Sequence, residues 1–503
     1  MARYILGIIL ALNWSSICCA QSSVLIAPDQ PTGAIVRYFG WDAKLHANLT
    51  NSTRSAKRLY GDSPANIMRI PFRPQASTPE GKAVFAGAVK ENGYGPLIDS
   101  IKMAKQVNPD LKIFASTKLM GADTFPSWMD SSKEGRIFNA PVKCPDVDKF
   151  AYLLTDYFEY LAAEGIKIDF LGLNNEVGEA LTPQHYVAVA QRLDANLKKS
   201  TMADEFKDFQ WIGAEEYGVY GSVKYAAELS KLNAQNFVDK LGSHFYPDKS
   251  SGSIQDWEKL ASFGAPTWHT EVHVRRHENP GENIAALRDG MCIVFATNQL
   301  GTEGYIWWDG TANQSFLCNH VRHQMIQSML YGNCVRTSGT YQAKDNEPTK
   351  RIAQATRVGD TVWLWYFNPN QEINELPVKL SSGVIESTVA KVFQGGSRTT
   401  PQSQGKLNIK TTSKTDFSVE QIPKQSIVVV EIVLEDDQQL IGLKKWDLIK
   451  SKKRSITAAL SRVEGNTLFF KSSRGKTISV PAKSLNPKHQ PEILDALRAH
   501  GIL

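Results

Sequence analysis

The chain has 503 residues, of which 42% are hydrophobic and 21% are charged. This composition is that of a globular protein, and the length excludes a single compact core, so we expect more than one domain. The net charge of +6 comes from one end of the sequence: residues 440–503 hold 13 Lys and Arg against 4 Asp and Glu, whereas the rest of the chain is slightly acidic.

The first 20 residues have the pattern of a secretory signal peptide. Arg3 supplies a positive start, residues 5–12 form an apolar core, and Ala20 is the small residue before the expected cleavage point. The apolar core is too short to span a bilayer, and no other stretch of the chain has the length for it. We therefore expect a secreted or periplasmic protein.

Eight β-rich runs follow, and several are separated by amphipathic stretches with apolar residues every three or four positions, such as 147–165 and 183–199. This count and size predict an α/β fold, a (β/α)8 barrel over residues 21–340, with its N-terminal strand able to join the next domain. A doubly wound sheet would show the same alternation, but no G-x-G-x-x-G follows any of these runs. The runs are 34–39, 67–70, 112–116, 168–173, 210–213, 240–244, 266–269 and 304–307.

Two further domains are predicted after the barrel. Residues 341–436 alternate apolar and polar side chains and are rich in Val, Ile and Trp, which indicates an antiparallel β-sandwich. Residues 440–503 form the basic tail, which we expect to be a small separate β-barrel.

Four cysteines remain beyond the predicted signal peptide: Cys144, Cys292, Cys318 and Cys334. Their spacing matches no zinc-binding pattern. In an oxidising compartment Cys318 and Cys334 are close enough in sequence to form a disulfide; four buried thiols are the alternative.

Two carboxylates mark the predicted active site. Glu176 ends the apolar run "FLGLNNE", the fourth predicted strand, and Glu271 ends "TWHTE", the seventh. The carboxyl ends of the strands of a (β/α)8 barrel meet at its active-site mouth, where strands four and seven lie opposite each other. Such a pair can cleave a glycosidic bond, one residue protonating the leaving oxygen while the other attacks the anomeric carbon.

The same motifs carry a family resemblance. The Asn-Glu pair at strand four and Thr-Glu at strand seven resemble the acid/base and nucleophile signatures of glycoside hydrolase clan A. The segments "YLAAEGIKIDFLGLNNE", "VDKLGSHFYP", "PTWHTEV" and "EGYIWWD" resemble family 30, the group of glucosylceramidases, xylanases and β-1,6-glucanases or galactanases, and "IPKQSIVVVEI" resembles its sandwich. The resemblance spans roughly residues 30–435 and implies a retaining β-glycoside hydrolase acting on a polysaccharide or oligosaccharide, such as a β-1,6-galactan.

The resemblance also implies roles for individual residues. Glu176 becomes the acid/base and Glu271 the nucleophile, and Asn175 is expected to bind the 2-hydroxyl of the sugar. The other expected site residues are Arg69, which keeps Glu271 ionised, His244 and Tyr246, which hold its geometry, and Trp268 and Trp308, which contact the substrate. Val177 departs from the family pattern, which commonly has Pro or a small residue after the acid/base.

Three alternatives remain open from the residues alone. His269, Glu271 and His273 alternate along one strand, so that all three would face a single metal ion. Glu215, at the end of strand five, becomes the acid if the strand count is shifted by one. A third reading is a polysaccharide-binding protein without activity on a degenerate barrel. The main prediction requires no metal or cofactor, no nucleic-acid partner and no membrane span.

The tail has a resemblance of its own. Trp446, the strand at Ala459 and Leu460, the hairpin 463–471 and "VPAKSL" resemble a Sla-one homology domain of type one, a small barrel of the Src-homology kind that binds peptides. Its basic charge favours an anionic cell-envelope polymer or a peptide as partner; a solvated spacer is the alternative.

Overall fold

The computed structural model describes residues 23–43, 53–62, 65–78, 80–83, 95–118, 125–129, 144–176, 180–246, 252–273, 282–308, 316–338, 351–395, 405–435, 441–448, 455–464, 467–472 and 477–499. The chain divides into two compact units, one formed by Gly33–Cys334 and the other mainly by the segments before and after it. The predicted signal peptide, residues 1–20, lies outside the described residues.

The larger unit contains a closed barrel of eight parallel strands. Strand β1 (Val24–Ile35) precedes it in the chain and belongs to the other unit's sheet. The barrel closes because its first strand pairs with both its second and its last, for example Gly40 with Ile67 and Trp41 with Trp307. The barrel strands are β2 (Tyr38–Asp42), β3 (Ile67–Phe72), β4 (Lys112–Thr117), β5 (Phe170–Gly172), β6 (Gln210–Glu216), β7 (Lys240–Phe245), β8 (Thr267–Val272) and β9 (Gly304–Trp307).

Large apolar side chains fill the barrel interior, with Trp268 at the centre of a cluster that includes Phe114 and Phe170. The indole of Trp268 donates to Oε2 of Glu303 at 2.9 Å, and Nζ of Lys240 lies 2.7 Å from the same oxygen. Glu303 directly precedes β9 and Lys240 begins β7, so this network closes the amino-terminal end of the barrel. The interior is therefore packed, and the carboxyl-terminal end of the barrel is the end at which an active site is expected.

Helices cover the outside of the barrel, and their starts follow local capping rules. Asp146 and Thr182 each accept a hydrogen bond from a backbone N–H of the helix they precede, and Ser253 and Asp256 form a capping box. The α-helices among the described residues are α1 (Thr53–Ala56), α2 (Gly95–Val107), α3 (Val147–Ala163), α4 (Pro183–Leu197), α5 (Ala203–Phe206), α6 (Val219–Lys231), α7 (Ile254–Ala261), α8 (Glu282–Val294), α9 (Phe316–Met329) and α10 (Gln490–Ala499).

The smaller unit contains a ten-stranded sheet that includes β1. Residues from strands near both ends of the sheet, such as Ala390 and Val419, share one apolar core, so the sheet folds over on itself as a sandwich. Besides β1, its strands are β10 (Asn333–Ser338), β11 (Ile352–Val358), β12 (Thr361–Asn368), β13 (Ile373–Leu380), β14 (Ile385–Phe393), β15 (Gly405–Leu407), β16 (Ile409–Thr411), β17 (Asp416–Ile422) and β18 (Ser426–Leu434).

The basic tail has a four-stranded antiparallel sheet, formed by β19 (Ile441–Asp447), β20 (Ser455–Glu464), β21 (Thr467–Ser472) and β22 (Thr477–Pro481), followed by α10. Trp446 lies at the centre of its own apolar cluster, against Phe470, and its indole donates to the carbonyl of Ala458 at 2.8 Å. The predicted fold class, a (β/α)8 barrel with a β-sandwich and a small C-terminal β-sheet, is therefore confirmed, whereas a separate barrel domain in the tail stays a prediction.

The described residues contain neither the possible disulfide nor a membrane-spanning helix. Cys144, Cys292, Cys318 and Cys334 are all thiols, so the structure has no disulfide between Cys318 and Cys334. Within the described ranges, no helix is both long enough and apolar enough to cross a membrane.

Candidate active site

Glu176 stands at the exit of the fourth barrel strand. After β5 the chain passes through Asn174 and Asn175, both buried, and Glu176 adopts a left-handed backbone conformation with φ of 54°. Its backbone N–H donates to the carbonyl oxygen of Glu215 at 2.9 Å. A non-glycine residue in this region is strained unless neighbouring contacts fix it, so the end of β6 holds the turn that aims Glu176.

Glu271 stands at the exit of the seventh strand, where the strand is irregular. Ser243 pairs with His269, but the next residue, His244, pairs with Glu271, so one extra residue lies in β8 at this point. A bulge of this kind changes which face the following side chains point to. Glu271 therefore reaches Arg69 in the mouth, whereas His269 packs outside the barrel against Trp257 of α7, with ring centroids 4.2 Å apart.

The bulge removes the alternative metal site. A site made of His269, Glu271 and His273 requires regular alternation along β8, and His269 lies on the opposite side of the strand from Glu271. Burial lowers the pKa of the His269 imidazole to about 3. The imidazole is thus neutral and enclosed among aromatic rings, away from the mouth.

Arg69, at the third position of β3, links most of the candidate site. It is fully buried, and its guanidinium donates to side chains from five other strands or strand ends. The acceptors are Asp42 at 2.7 Å, Ser116 at 3.0 Å, Asn175 at 2.5 Å, Glu271 at 2.8 Å, and Glu215. One cation thus fixes the orientation of the nucleophile candidate and of the residue beside the acid/base candidate.

Electrostatics favour the charged form of Arg69 and the protonated form of Tyr246. Burial lowers the pKa of Arg69, but attraction to Glu215, Asp42 and Glu271 outweighs it, so that its pKa lies above its usual value. For Tyr246, burial and the charges of Glu271 and Glu176 raise the pKa of the phenol well above 10. Its hydroxyl therefore remains a donor, and it donates to Oε1 of Glu271.

His244 lies between the two candidate catalytic carboxylates. Its Nδ1 contacts Oε1 of Glu176, and its Nε2 is 3.7 Å from Oε2 of Glu271. One carboxylate oxygen of each glutamate and a ring nitrogen of His244 lie within 4.8 Å of one another. Three such groups are also close enough to chelate a divalent cation, and they are the candidate metal-holding cluster among the described residues.

Glu215 occupies a slot shaped by two glycines. A Cβ at Gly172 would lie 2.0 Å from its Oε2, and a Cβ at Gly242 would lie 2.8 Å from its Cγ. Ser116 donates to Oε2 at 3.1 Å, and the side chain is fully buried. Glu215 therefore belongs to the fifth barrel strand, as predicted, and its carboxylate lies beside Arg69 beneath the mouth.

The structure brings Arg69, Asn175, Glu176, His244, Tyr246 and Glu271 together through these contacts. Trp308 directly follows β9, and its ring is 4.9 Å from that of His273, which is 6.5 Å from Tyr246. Trp268 lies apart from this group, because it points into the closed barrel interior and is fully buried. A direct contact between Trp268 and a substrate does not fit that position.

Asp42, Ser116 and Tyr217 were not predicted as site residues. Asp42 ends β2 and Ser116 lies near the end of β4, so both stand at the carboxyl-terminal edge, which is the signal that could have identified them. Tyr217 follows β6 and stacks on Tyr246, with ring centroids 5.0 Å apart. Its exposed fraction is 38%, so it widens the aromatic wall of the mouth.

No protein-family model matches this chain, and no curated protein sequence matches it either. Several solved structures, however, are similar to it. A family 30 endoxylanase from Clostridium papyrosolvens C71 is similar at 18% identity and a TM-score of 0.58, over 82% of this chain and 100% of that one. A family 30 subfamily 8 xylanase from Clostridium acetobutylicum is similar at 15% identity and a TM-score of 0.60, over 82% of this chain and 100% of that one. An endo-β-1,6-glucanase is similar at 13% identity and a TM-score of 0.56, over 82% of this chain and 94% of that one.

These similarities establish the fold. The chain has the barrel-and-sandwich architecture of family 30 glycoside hydrolases, and the predicted resemblance to that family is confirmed at the level of the fold. The solved structures are covered almost completely, so about a fifth of this chain lies outside the shared architecture.

Proposed function

We propose that this protein is an exported, retaining β-glycoside hydrolase that cleaves a polysaccharide by double displacement. One observation supports this above others: carboxylate oxygens of Glu176 and Glu271, from opposite strands of the mouth, lie within 4.8 Å of each other. Retaining enzymes hold their two carboxyl groups about 5–5.5 Å apart, whereas inverting enzymes need about 6.5–9.5 Å to admit a water molecule. The shared fold with xylanases and a β-1,6-glucanase points to the same class.

In the proposed first step, Glu176 gives its proton to the glycosidic oxygen as the bond to the anomeric carbon breaks. Glu271 attacks that carbon from the opposite face and forms a glycosyl ester. In the second step Glu176, now ionised, removes a proton from water, which attacks the same carbon and releases Glu271. Two inversions give a product with the substrate's own β-configuration.

The surrounding residues support this cycle in defined ways. Glu271 must be ionised to attack, and the cation of Arg69 at 2.8 Å and the hydroxyl of Tyr246 both stabilise that form. His244 contacts Glu176 and can hold its carboxyl group in register through both steps. We further propose that Asn175 binds the 2-hydroxyl and that Trp308 forms the floor of the sugar subsite.

The substrate, the location and the tail belong to the same proposal. A β-1,6-galactan or a related galactan is the first substrate to test, with β-1,6-glucan and xylan beside it. The predicted signal peptide supports export, and the +9 charge of residues 440–503 supports binding to an anionic cell-envelope polymer. The resemblance of the tail to a peptide-binding domain makes an acidic peptide the competing ligand.

The nucleophile is tested by Glu271→Gln, because an amide keeps the shape of the carboxyl group but cannot attack. We expect turnover to fall by about a thousandfold or more on whichever polysaccharide gives reducing ends with the wild type. Circular dichroism should show an unchanged fold. A variant with more than a few per cent of wild-type activity would show that Glu271 is not the nucleophile.

The stereochemistry is tested by proton NMR of the first-formed sugar. The β-anomer should appear before mutarotation, and an α-anomer appearing first would contradict the retaining mechanism. Treatment with EDTA should leave activity unchanged. Activity lost to the chelator and restored by a divalent ion would instead indicate a metal held by Glu176, His244 and Glu271.

A further inference from the structure

A pocket of about 440 Å³ lies outside the barrel, between helices α3 and α4 and the segments that contain Gly81 and Trp128. We call it the outer pocket. It shares no residue with the candidate active site. Its apolar wall consists of Gly81, Trp128 and Tyr152, and its polar wall includes Asp148, Arg192 and Asn196.

The two aromatic rings of the outer pocket are held in place without being buried. The indole of Trp128 donates to Oγ of Ser77 at 3.2 Å, and its backbone carbonyl accepts from Lys149 at 2.9 Å. Tyr152 lies on the outer face of α3, is 45% exposed, and has the ammonium group of Lys82 4.8 Å from its ring centroid. The pocket therefore presents two partly exposed aromatic rings, each of which contacts a polar neighbour.

Gly81 brings its backbone against both rings. Its φ is 81°, in the left-handed region, and a Cβ at this position would lie 3.3 Å from Tyr152 and 3.4 Å from Trp128. Any larger residue would crowd the rings and strain the backbone. The absence of a side chain keeps the apolar wall open.

The charges around the outer pocket are balanced. Nε of Arg192 lies 2.7 Å from Oδ1 of Asp148, and Nζ of Lys82 lies 2.8 Å from Oδ1 of Asp156. The remaining charged side chains of the lining, Glu80 and Lys149, have opposite signs. The pocket thus offers hydrogen-bonding groups without excess charge, which suits a neutral ligand better than an anion.

From these features we propose that the outer pocket is a second saccharide-binding site, which takes a short segment of a neutral polysaccharide. A pyranose ring has apolar C–H faces that pack on aromatic rings, and hydroxyl groups around its edge that bond to planar side chains such as Arg, Asp and Asn. Holding the polymer at a second point raises its effective concentration at the mouth. The inference rests on the proposed function, since it assigns the same substrate class to a second site.

Tyr152→Ala is the test variant, made in the Glu271→Gln protein so that no substrate is consumed. Both proteins are run in affinity electrophoresis through gels that contain β-1,6-galactan, β-1,6-glucan or xylan. We expect the double variant to bind about fivefold more weakly than its parent, the Glu271→Gln protein, to the polymer that retains the parent. The matched control is Tyr160→Ala, two turns further along α3 and outside the pocket, which should be retained like the parent. Equal retention of both variants overturns the inference, as does a parent retained by none of the three polymers.

A second measurement separates this inference from the proposed function. In the otherwise wild-type enzyme, Tyr152→Ala should leave kcat/KM on a short soluble oligosaccharide within about twofold of wild type and should raise KM on the polymer. An equal loss on both substrates would overturn the second site, because it would indicate a structural effect. An active Glu271→Gln protein would refute the proposed mechanism whatever Tyr152→Ala does.

Discussion

At the scale of single residues, Arg69 is the centre of the candidate site. A lone cation contacts three carboxylates, those of Asp42, Glu215 and Glu271, and all of these groups are buried. Removing one partner from such a group lowers the stability of the fold by more than the pairing had added, because the remaining charges stay buried without that partner. The arrangement therefore needs every member, including Glu215, whose side chain bonds to Arg69 and Ser116.

Glu215 acts on both sides of the site. Its side chain bonds to Arg69, which orients Glu271, and its backbone carbonyl accepts from the N–H of Glu176. Replacing Glu215 by Gln retains the shape and removes one negative charge from beneath the mouth. We expect kcat to fall by about tenfold to a hundredfold, because the amide pairs less well with Arg69.

The pH profile of Glu215→Gln tests whether the charge of Glu215 acts on Glu176 and Glu271. Loss of a nearby negative charge favours the ionised forms of Glu176 and Glu271, so both limbs of a bell-shaped profile of kcat/KM should move to lower pH. Glu228→Gln, which removes an exposed carboxylate from α6 that pairs with Lys231, is the control and should leave the profile in place. An unmoved profile in Glu215→Gln would refute the idea that its charge acts on the pair.

At the scale of strands and helices, the regular parts of the fold could be predicted and the irregular ones could not. Periodicity and capping located seven of the eight barrel strands and the starts of α3 and α4, because each is fixed by local chemistry such as Thr182 before Pro183. The first predicted run, 34–39, in fact spans the end of β1 and the start of β2. No periodic pattern reveals that a strand changes partners at that point.

The candidate site shows the same limit. Glu176 and Glu271 could be placed because strand ends meet at the mouth, and the count of strands was right. The bulge in β8 could not be predicted, since it depends on the register between β7 and β8 rather than on the residues of either strand alone. For that reason the alternation of His269, Glu271 and His273 suggested a shared face that the structure does not have. Trp268 was misplaced for a related reason, because a motif near the mouth gives no depth within the barrel.

His269 makes the layer between strand and helix sensitive to acid. Its imidazole packs on Trp257 and Phe245, and neither ring nitrogen has a hydrogen-bond partner among the described residues. Because its pKa is lowered to about 3, the unfolded chain takes up a proton below about pH 6.5 while the folded chain does not. Its contribution therefore destabilises the fold increasingly as pH falls from about 6.5 towards 3, and has no effect above that range.

His269→Phe should remove this contribution. The substitution keeps an aromatic ring in the same pocket and breaks no hydrogen bond in the described structure, so stability at pH 7 should change little. At pH 5 we expect the variant to gain about 2 kcal/mol relative to wild type, measured as a shift in the urea midpoint followed by tryptophan fluorescence. If wild type and variant lose stability equally between pH 7 and pH 5, the imidazole is not buried in its neutral form.

At the scale of the whole molecule, charge divides the chain into two parts. Residues 440–503 carry a net +9 and the remainder a net −3. Part of the positive charge is used within the tail, because Lys444 pairs with Glu492, and Lys488 with Asp447 at 2.5 Å. Clustered positive charges on a surface attract anionic polymers, and added salt weakens this attraction.

Deleting residues 440–503 should separate binding to anionic polymers from catalysis. The tail has its own sheet and its own apolar core around Trp446, and every residue of the candidate site lies before it in the chain, so kcat on a short soluble oligosaccharide should stay within about twofold of wild type. Retention on immobilised polygalacturonate should disappear, because the remaining chain is net negative, and the full-length protein should elute as salt rises.

A full-length variant with Lys450, Lys452, Lys453 and Arg454 replaced by Gln tests the charge without removing the tail, and should elute at lower salt than wild type. If that variant elutes with wild type while the deletion does not bind, the tail recognises its ligand by shape rather than charge; if the deletion aggregates or loses activity on the oligosaccharide, the tail is part of the enzyme's stable fold.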